Sequence, residues 1–171
     1  NGYEFRSNFG PTSLANKSYV DQVAQGLDVK KAVRVATTVT DVLTATYAEP
    51  TLSGTGTLVI DGVTVAQGDR VLVMSQADPK ENGIYDVTST SGANWIMTRS
   101  ADADNQDNHV NEVSGGVFVF VEEGATLFDN GFVATHEGEP TLGTDAITFV
   151  QFSGAGQIEA GDAMSKTGNR L

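Results

Sequence analysis

The chain has 171 residues, enough for one domain of ordinary size with a short appendage. Its formal net charge of −12 at pH 7 argues against binding to nucleic-acid phosphates or to an anionic membrane surface. It has no cysteine, so a disulfide framework is excluded, and no apolar run approaches the length that membrane insertion needs.

The first 28 residues are predicted to form a lead-in and one short amphipathic helix. The helix runs from Ser13 to Leu27, because Ser13 can cap its first turn and Gly26 supplies a stop. Its apolar residues recur at three- and four-residue spacing, with Asp21 and Gln22 on the other side. Such a stripe packs on the β domain or on copies of itself; two heptad turns suffice to seed a parallel trimer but are too few for a self-sufficient coiled coil. The residues that we predict to take part in oligomerisation are Leu14, Tyr19, Val20, Val23 and Leu27.

Residues 29–153 are predicted to form a β domain, because Thr, Val and Gly are abundant and turns are frequent. Its first strand is predicted at Val29–Thr38, where side chains alternate in character, and residues 40–56 are predicted to be a loop with one weak strand. Asp61-Gly62 separates two β-branched runs, which predicts a hairpin with a two-residue turn.

A strand–loop–strand pattern then occurs twice, without a gap, at an offset of 48 residues. In each copy an Asn-Gly pair, which tolerates positive φ, precedes the second apolar run. A third, aromatic-bearing strand follows in each half. The predicted strands are Gly68–Met74, Glu81–Tyr85 and Asn94–Arg99 in the first unit, and Gly116–Glu122, Asp129–Val133 and Ala146–Phe152 in the second.

Each unit is too small to bury its own apolar face, so we expect the two units to pack on each other. The predicted fold is mainly β: a single antiparallel β-barrel or β-sandwich of eight to ten strands, built from two pseudo-repeated units, with one short N-terminal helix. Periodicity does not choose between barrel and sandwich. Residues 154–171 are predicted to be a glycine-rich connector, and we expect the chain to be a piece of a longer protein.

The sequence contains no catalytic constellation that we can identify, and we expect neither enzymatic activity nor a cofactor. Three carboxylates in one loop, Asp102, Asp104 and Asp107, are weak candidates for calcium ligands. An EF-hand loop wants Gly at its sixth position, where this loop has Asp107, so a solvated acidic turn is favoured. Trp95 and Phe128 are the candidate ligand contacts, since an exposed ring often marks a sugar or partner contact.

The chain contains, in this order, the segments Asn16–Leu27, Gly68–Val73, Glu81–Tyr85, Phe118–Gly124 and Ile147–Gly156. Together these five segments resemble a module that is widespread in tail-fibre and related structural proteins of tailed bacteriophages. The resemblance covers roughly residues 14–156, and a long Thr/Ala insertion near residues 42–57 departs from it. It implies a virion protein, usually a homotrimer, that acts in attachment or as a shaft or connector beside other tail or fibre proteins.

The function that we predict is therefore a non-enzymatic structural or adhesive module of a phage tail fibre, which contributes to attachment of the virion to the host cell. The alternative is a carbohydrate-binding module that contacts host surface polysaccharide directly through Trp95 or Phe128. Part of a tailspike depolymerase is a weaker alternative, because such enzymes need a long β-helix that this sequence does not predict.

Overall fold

The structure is a computed structural model that describes residues 27–106 and 112–154. The helix predicted at residues 13–27 lies outside the described residues except for Leu27. The described part is mainly β, with one 3₁₀ turn at Pro79–Glu81 as its only helical segment. Its strands are β1 (Asp28–Val29), β2 (Val35–Ala36), β3 (Thr46–Ala48), β4 (Thr51–Thr55), β5 (Val59–Ile60), β6 (Val63–Thr64), β7 (Arg70–Val73), β8 (Gly83–Ser89), β9 (Asn94–Arg99), β10 (Val117–Phe120), β11 (Asn130–Ala134) and β12 (Phe149–Gly154).

These strands form three sheets, and none of the three closes into a barrel. The four-stranded sheet has the order β1-β10-β11-β12, and the six-stranded sheet has the order β2-β7-β8-β9-β4-β3. Strands β5 and β6 form a separate hairpin. The predicted mainly β class is confirmed and the barrel alternative is wrong, because the edges of the two larger sheets do not pair.

Both larger sheets contain the same arrangement, in which a short parallel strand is followed by a three-stranded antiparallel meander. Strand β2 pairs in parallel with β7 of the meander β7-β8-β9, and β1 pairs in parallel with β10 of the meander β10-β11-β12. The strands predicted for both units are thereby confirmed. Equivalent turns agree in detail: Gly68 and Gly116 have φ of 93° and 94°, a region that favours glycine.

The segment predicted as one strand at Val29–Thr38 is instead divided between the two sheets. It pairs with β10 through β1, meets Val121 at an isolated bridge from Val33, and then pairs with β7 through β2. Because it passes from one sheet to the other, Val33 packs in one hydrophobic cluster and Val35 in another. Alternation of side-chain character along one segment does not predict that the segment pairs first with one sheet and then with another.

Two hydrophobic clusters lie on opposite sides of the six-stranded sheet. The first, which we call the inter-sheet core, joins that sheet to the four-stranded sheet, and the second packs beneath the β5–β6 hairpin. Alternation within β7 divides the strand, because Leu72 faces the inter-sheet core and Val71 and Val73 face the second cluster. The inter-sheet core includes Val33, Leu72, Ile84, Val119, Phe132 and Ile147.

Of the predictions for the two turn-rich stretches before β7, one is wrong in part and the other is confirmed. Residues 40–56 contain two paired strands, β3 and β4, rather than the predicted single weak strand. They extend the six-stranded sheet, because β4 pairs with β9. The Thr/Ala/Gly-rich composition of residues 40–56 does not predict this pairing. The predicted hairpin is confirmed, and Asp61 and Gly62 at its tip have positive φ of 45° and 78°, as a type I′ turn requires.

Candidate functional site

The acidic loop whose carboxylates were weak calcium candidates is favoured by the sequence as a solvated turn, and its described carboxylates make separate contacts. Asp102 accepts two hydrogen bonds from Arg70 Nη2, at 2.7 and 2.9 Å. Asp104 Oδ1 accepts one from the backbone N–H of Gln106 at 2.9 Å, and Asp107 lies outside the described residues. Within residues 27–106 and 112–154 no three His, Asp or Glu side chains are grouped so that they could hold a metal ion.

The two aromatic residues predicted as ligand contacts have opposite environments. Trp95 is only 4% exposed and packs beneath the β5–β6 hairpin, so its ring is not placed to stack on a ligand. A Cβ at Gly54 would lie 2.3 Å from Cζ2 of that ring, which shows how closely the neighbouring backbone approaches it. Phe128 is 60% exposed in the loop between β10 and β11. Of the residues predicted for oligomerisation, only Leu27 belongs to the described chain, where it is half-buried.

An acidic groove of about 510 Å³ lies at one side of the described fold. Three carboxylates, those of Glu49, Asp104 and Glu139, line it, and none of the described lining residues is basic. Asn105 joins its two walls by donating a hydrogen bond from Nδ2 to the carbonyl of Pro140 at 3.3 Å. Such a lining can accept hydrogen bonds from hydroxyl groups or attract cations, but it supplies no nucleophile paired with a base.

Arg99 of β9 lies next to this groove, and its side chain is completely buried. Its Nε donates to both carboxylate oxygens of Glu49 at 2.9 Å. Its Nη atoms donate to the carbonyls of Asn82 and Lys80, at 2.8 and 2.9 Å, and Nη2 also meets the hydroxyl of Tyr47 at 3.2 Å. Every contact of the guanidinium is therefore an internal one, which assigns Arg99 to holding the fold rather than to binding a ligand.

The ring of Tyr85 lies beneath this guanidinium, with Arg99 Cζ 5.0 Å from the ring centroid. Its hydroxyl donates to the carbonyl of Glu81 at 2.7 Å. Burial raises the pKa of the Tyr85 phenol well above its ordinary value, and the positive charge of Arg99 lowers it by a smaller amount. The phenol is therefore protonated in the folded protein at pH values at which an exposed tyrosine would ionise.

We expect the fold to lose stability as pH rises above about 10, the pKa of an unfolded tyrosine. A group whose pKa is higher in the folded than in the unfolded protein contributes its full stabilisation below the unfolded-state pKa. That contribution is lost as pH rises toward the folded-state pKa. In Tyr85→Phe this loss is expected to be smaller, although the missing hydrogen bond costs about 1 kcal/mol at neutral pH. Melting temperatures from pH 8 to about 11.5 measure the effect.

Tyr47→Phe is the comparison variant, because burial also raises the pKa of Tyr47 while its side chain is only partly buried. We expect it to change the alkaline slope less than Tyr85→Phe does. Superimposable alkaline profiles for the native protein and Tyr85→Phe would contradict the assignment of the slope to Tyr85.

The four-stranded sheet has an apolar surface on the side that faces away from the inter-sheet core. One residue from each strand contributes to a row across it, because β1 pairs with β10, β10 with β11 and β11 with β12 in register. Phe152 adds a ring that meets Phe118 edge to face, with centroids 5.8 Å apart. We call this surface the outer face, and it comprises Val29, Phe118, Val133, Val150 and Phe152.

Three residues of the outer face are largely exposed: Val29 by 66%, Val150 by 49% and Phe152 by 60%. Scattered apolar side chains on a surface are ordinary, but a contiguous row across a whole sheet marks a surface that another apolar element covers. The sequence contains a pattern that indicates this apolar outer face, which the sequence prediction did not include. Strand β10 lies in an unbroken run of Val and Phe, which is typical of a strand buried on both faces.

Comparisons with known proteins identify no relative: no protein-family model, no curated protein and no solved structure matches the chain significantly. In the described part of the chain no helix has the length and apolar character needed to cross a bilayer.

Proposed function

We propose that the chain is a non-enzymatic structural module of a phage tail fibre and that it carries tension between its neighbours when the virion attaches to a host cell. The proposal combines the resemblance of the five sequence segments with one observation on the fold: the strands at which the described chain begins and ends, β1 and β12, are the two edges of one sheet and run in the same direction.

The direction of these two strands decides how the sheet responds to tension. Since β1 and β12 are both parallel to β10, the start of β1 and the end of β12 lie at opposite ends of the sheet. A pull on both ends of the described chain therefore acts along the strands. It loads many backbone hydrogen bonds at once, whereas a pull across the strands would break them one after another.

The segment that begins with β1 is tied to the rest of the sheet by a series of bonds. Backbone N–H groups of Asp28, Lys30 and Val33 donate to carbonyls of residues 116, 118 and 120 at 2.8 to 2.9 Å. The N–H groups of Glu122 and Glu123 donate in return, at 2.9 and 2.7 Å, to carbonyls of the same segment. The segment then continues into β2, so tension reaches both larger sheets.

Single-molecule pulling tests this proposal. Handles at Leu27→Cys and Gly154→Cys apply tension along the strands, and handles at Phe128→Cys and Gly154→Cys peel β12 from β11, because residue 130 pairs with residue 154. We expect the unfolding force at matched loading rate to be clearly higher in the first geometry. Equal forces in the two geometries would contradict a load-bearing role. Light scattering of the same protein tests the homotrimer that the resemblance implies.

We also infer that the two meanders descend from one repeated unit and pack as a β-sandwich across the inter-sheet core. Their shared order of strands and the matching φ of Gly68 and Gly116 support this inference. The turns before β8 and β11 agree as well, since the N–H of Asn82 donates to Pro79 at 3.2 Å and that of Asn130 to Leu127 at 3.3 Å.

Direct binding of host glycan is the weaker proposal. The acidic groove offers the hydrogen-bond acceptors that sugar hydroxyls need, and the exposed ring of Phe128 supports it. The burial of Trp95 removes the other ring on which the sequence prediction rested.

A further inference from the structure

We propose that the amphipathic segment Leu14–Leu27 packs its apolar stripe on the outer face of the four-stranded sheet of the same chain. Residues 14–26 lie outside the described residues, so the inference combines the described surface with the sequence of that segment. It goes beyond the proposed function, which does not depend on what covers the outer face.

The connection to the sheet favours this occupant. Leu27 immediately precedes Asp28, the first residue of β1, and β1 is the edge strand whose Val29 begins the apolar row. No linker separates the segment from the surface, so its effective concentration there exceeds that of any separate molecule. Gly26 stands at the reversal, where a helix that folds back over the sheet needs a residue that adopts positive φ without strain.

Length and chemistry also match. As a helix, Leu14–Gln25 would be about 18 Å long at about 1.5 Å per residue, and Leu27, beyond the reversal at Gly26, is not helical. The outer face is about 14 Å wide between its edge strands, and β12 is about 20 Å long. The helix would therefore cover the row without a long overhang, with apolar side chains on both sides of the contact. The stripe residues that would meet the outer face are Tyr19, Val20, Val23 and Leu27.

This arrangement gives the outer face the second apolar layer that a sheet with two apolar faces requires. It also assigns the residues predicted for oligomerisation to a contact within one chain. A trimer of the protein would then form through other surfaces.

Cross-linking in the full-length chain tests the proposal, because the protein has no cysteine of its own. We would introduce Val20→Cys with Val150→Cys, and as the matched control Gln22→Cys with Val150→Cys, whose first cysteine lies on the opposite side of the predicted helix. A short bismaleimide is expected to link the first pair within one chain about tenfold faster than the control, since tethering alone gives both pairs the same effective concentration. Equal rates for the two pairs would overturn the proposal.

Cross-linking in an equal mixture of ¹⁴N- and ¹⁵N-labelled protein distinguishes whether the outer face is covered by the same chain or by a second copy. Links between peptides of one isotope only support packing within a chain, and links of mixed isotope show that a second copy covers the face instead, which overturns the proposal. Hydrogen exchange provides an independent readout without cysteines. Val23→Asp is expected to accelerate exchange of peptides from β10 and β12 relative to Gln22→Asp, and identical exchange in both variants would also overturn it.

Discussion

Replacing Arg99 by alanine is expected to destabilise the fold by about 3 kcal/mol, because a fully buried guanidinium, its ion pair with the partly exposed Glu49 and its hydrogen bonds to two carbonyls are lost together. The side chain of Arg99 has no exposure, and its removal leaves the carboxylate of Glu49 without its cation. It also leaves the carbonyls of Lys80 and Asn82 without the donors that reach them. These carbonyls lie in the turn immediately before β8, so the loss affects the turn that leads into the second strand of the meander.

Urea denaturation at pH 7 measures this effect, with the fluorescence of Trp95, the single tryptophan and a buried one, as the probe. Arg34→Ala is the matched control, because Arg34 also pairs with two carboxylates, Asp69 at 2.5 Å and Glu123 at 3.1 Å, but is 31% exposed. The control is expected to cost at most about 1 kcal/mol. Arg99→Lys should remain close to Arg99→Ala, since an ammonium group cannot satisfy four separated acceptors. A cost for Arg99→Ala no larger than that for Arg34→Ala would refute the structural role.

Asp61→Ala is the second substitution with a large expected effect, about 2–4 kcal/mol, because it leaves donors in the second unit without their charged acceptor. Asp61 is 6% exposed at the tip of the β5–β6 hairpin. Its carboxylate accepts hydrogen bonds from the N–H and hydroxyl of Thr126, at 3.0 and 2.8 Å, and from the N–H of Leu127 at 2.8 Å. A Cβ at Gly124 would lie 2.3 Å from this carboxylate, so the loop closes tightly over it.

Asp61→Asn separates the two roles of the residue. Asparagine tolerates the positive φ of the type I′ turn and keeps one acceptor oxygen, so we expect it to cost about half as much as Asp61→Ala. A double-mutant cycle with Thr126→Ala should give a coupling of about 1 kcal/mol or more, measured by urea denaturation. If Asp61→Asn costs almost nothing while Asp61→Ala remains costly, the turn conformation rather than the bridge to Thr126 would be the stabilising feature.

The amino-acid sequence by itself determined the β class, both strand–loop–strand units and the hairpin at Asp61-Gly62. These features depend on neighbours in the chain: a period of two places side chains on alternate faces, and a turn dipeptide sets φ at its own residues. For the same reason the third strand of the first unit, Asn94–Arg99, was predicted with its observed bounds.

Only the tertiary structure decided which element covers each face. It divided the segment predicted as Val29–Thr38 between two sheets, buried Trp95 beneath the hairpin and enclosed Arg99, while it left the rings of Phe128 and Phe152 exposed. Strand pairing and burial join residues that are far apart in the chain. A local pattern shows that a strand has an apolar face, but the sheet, hairpin or loop that packs against that face decides whether it becomes core or surface.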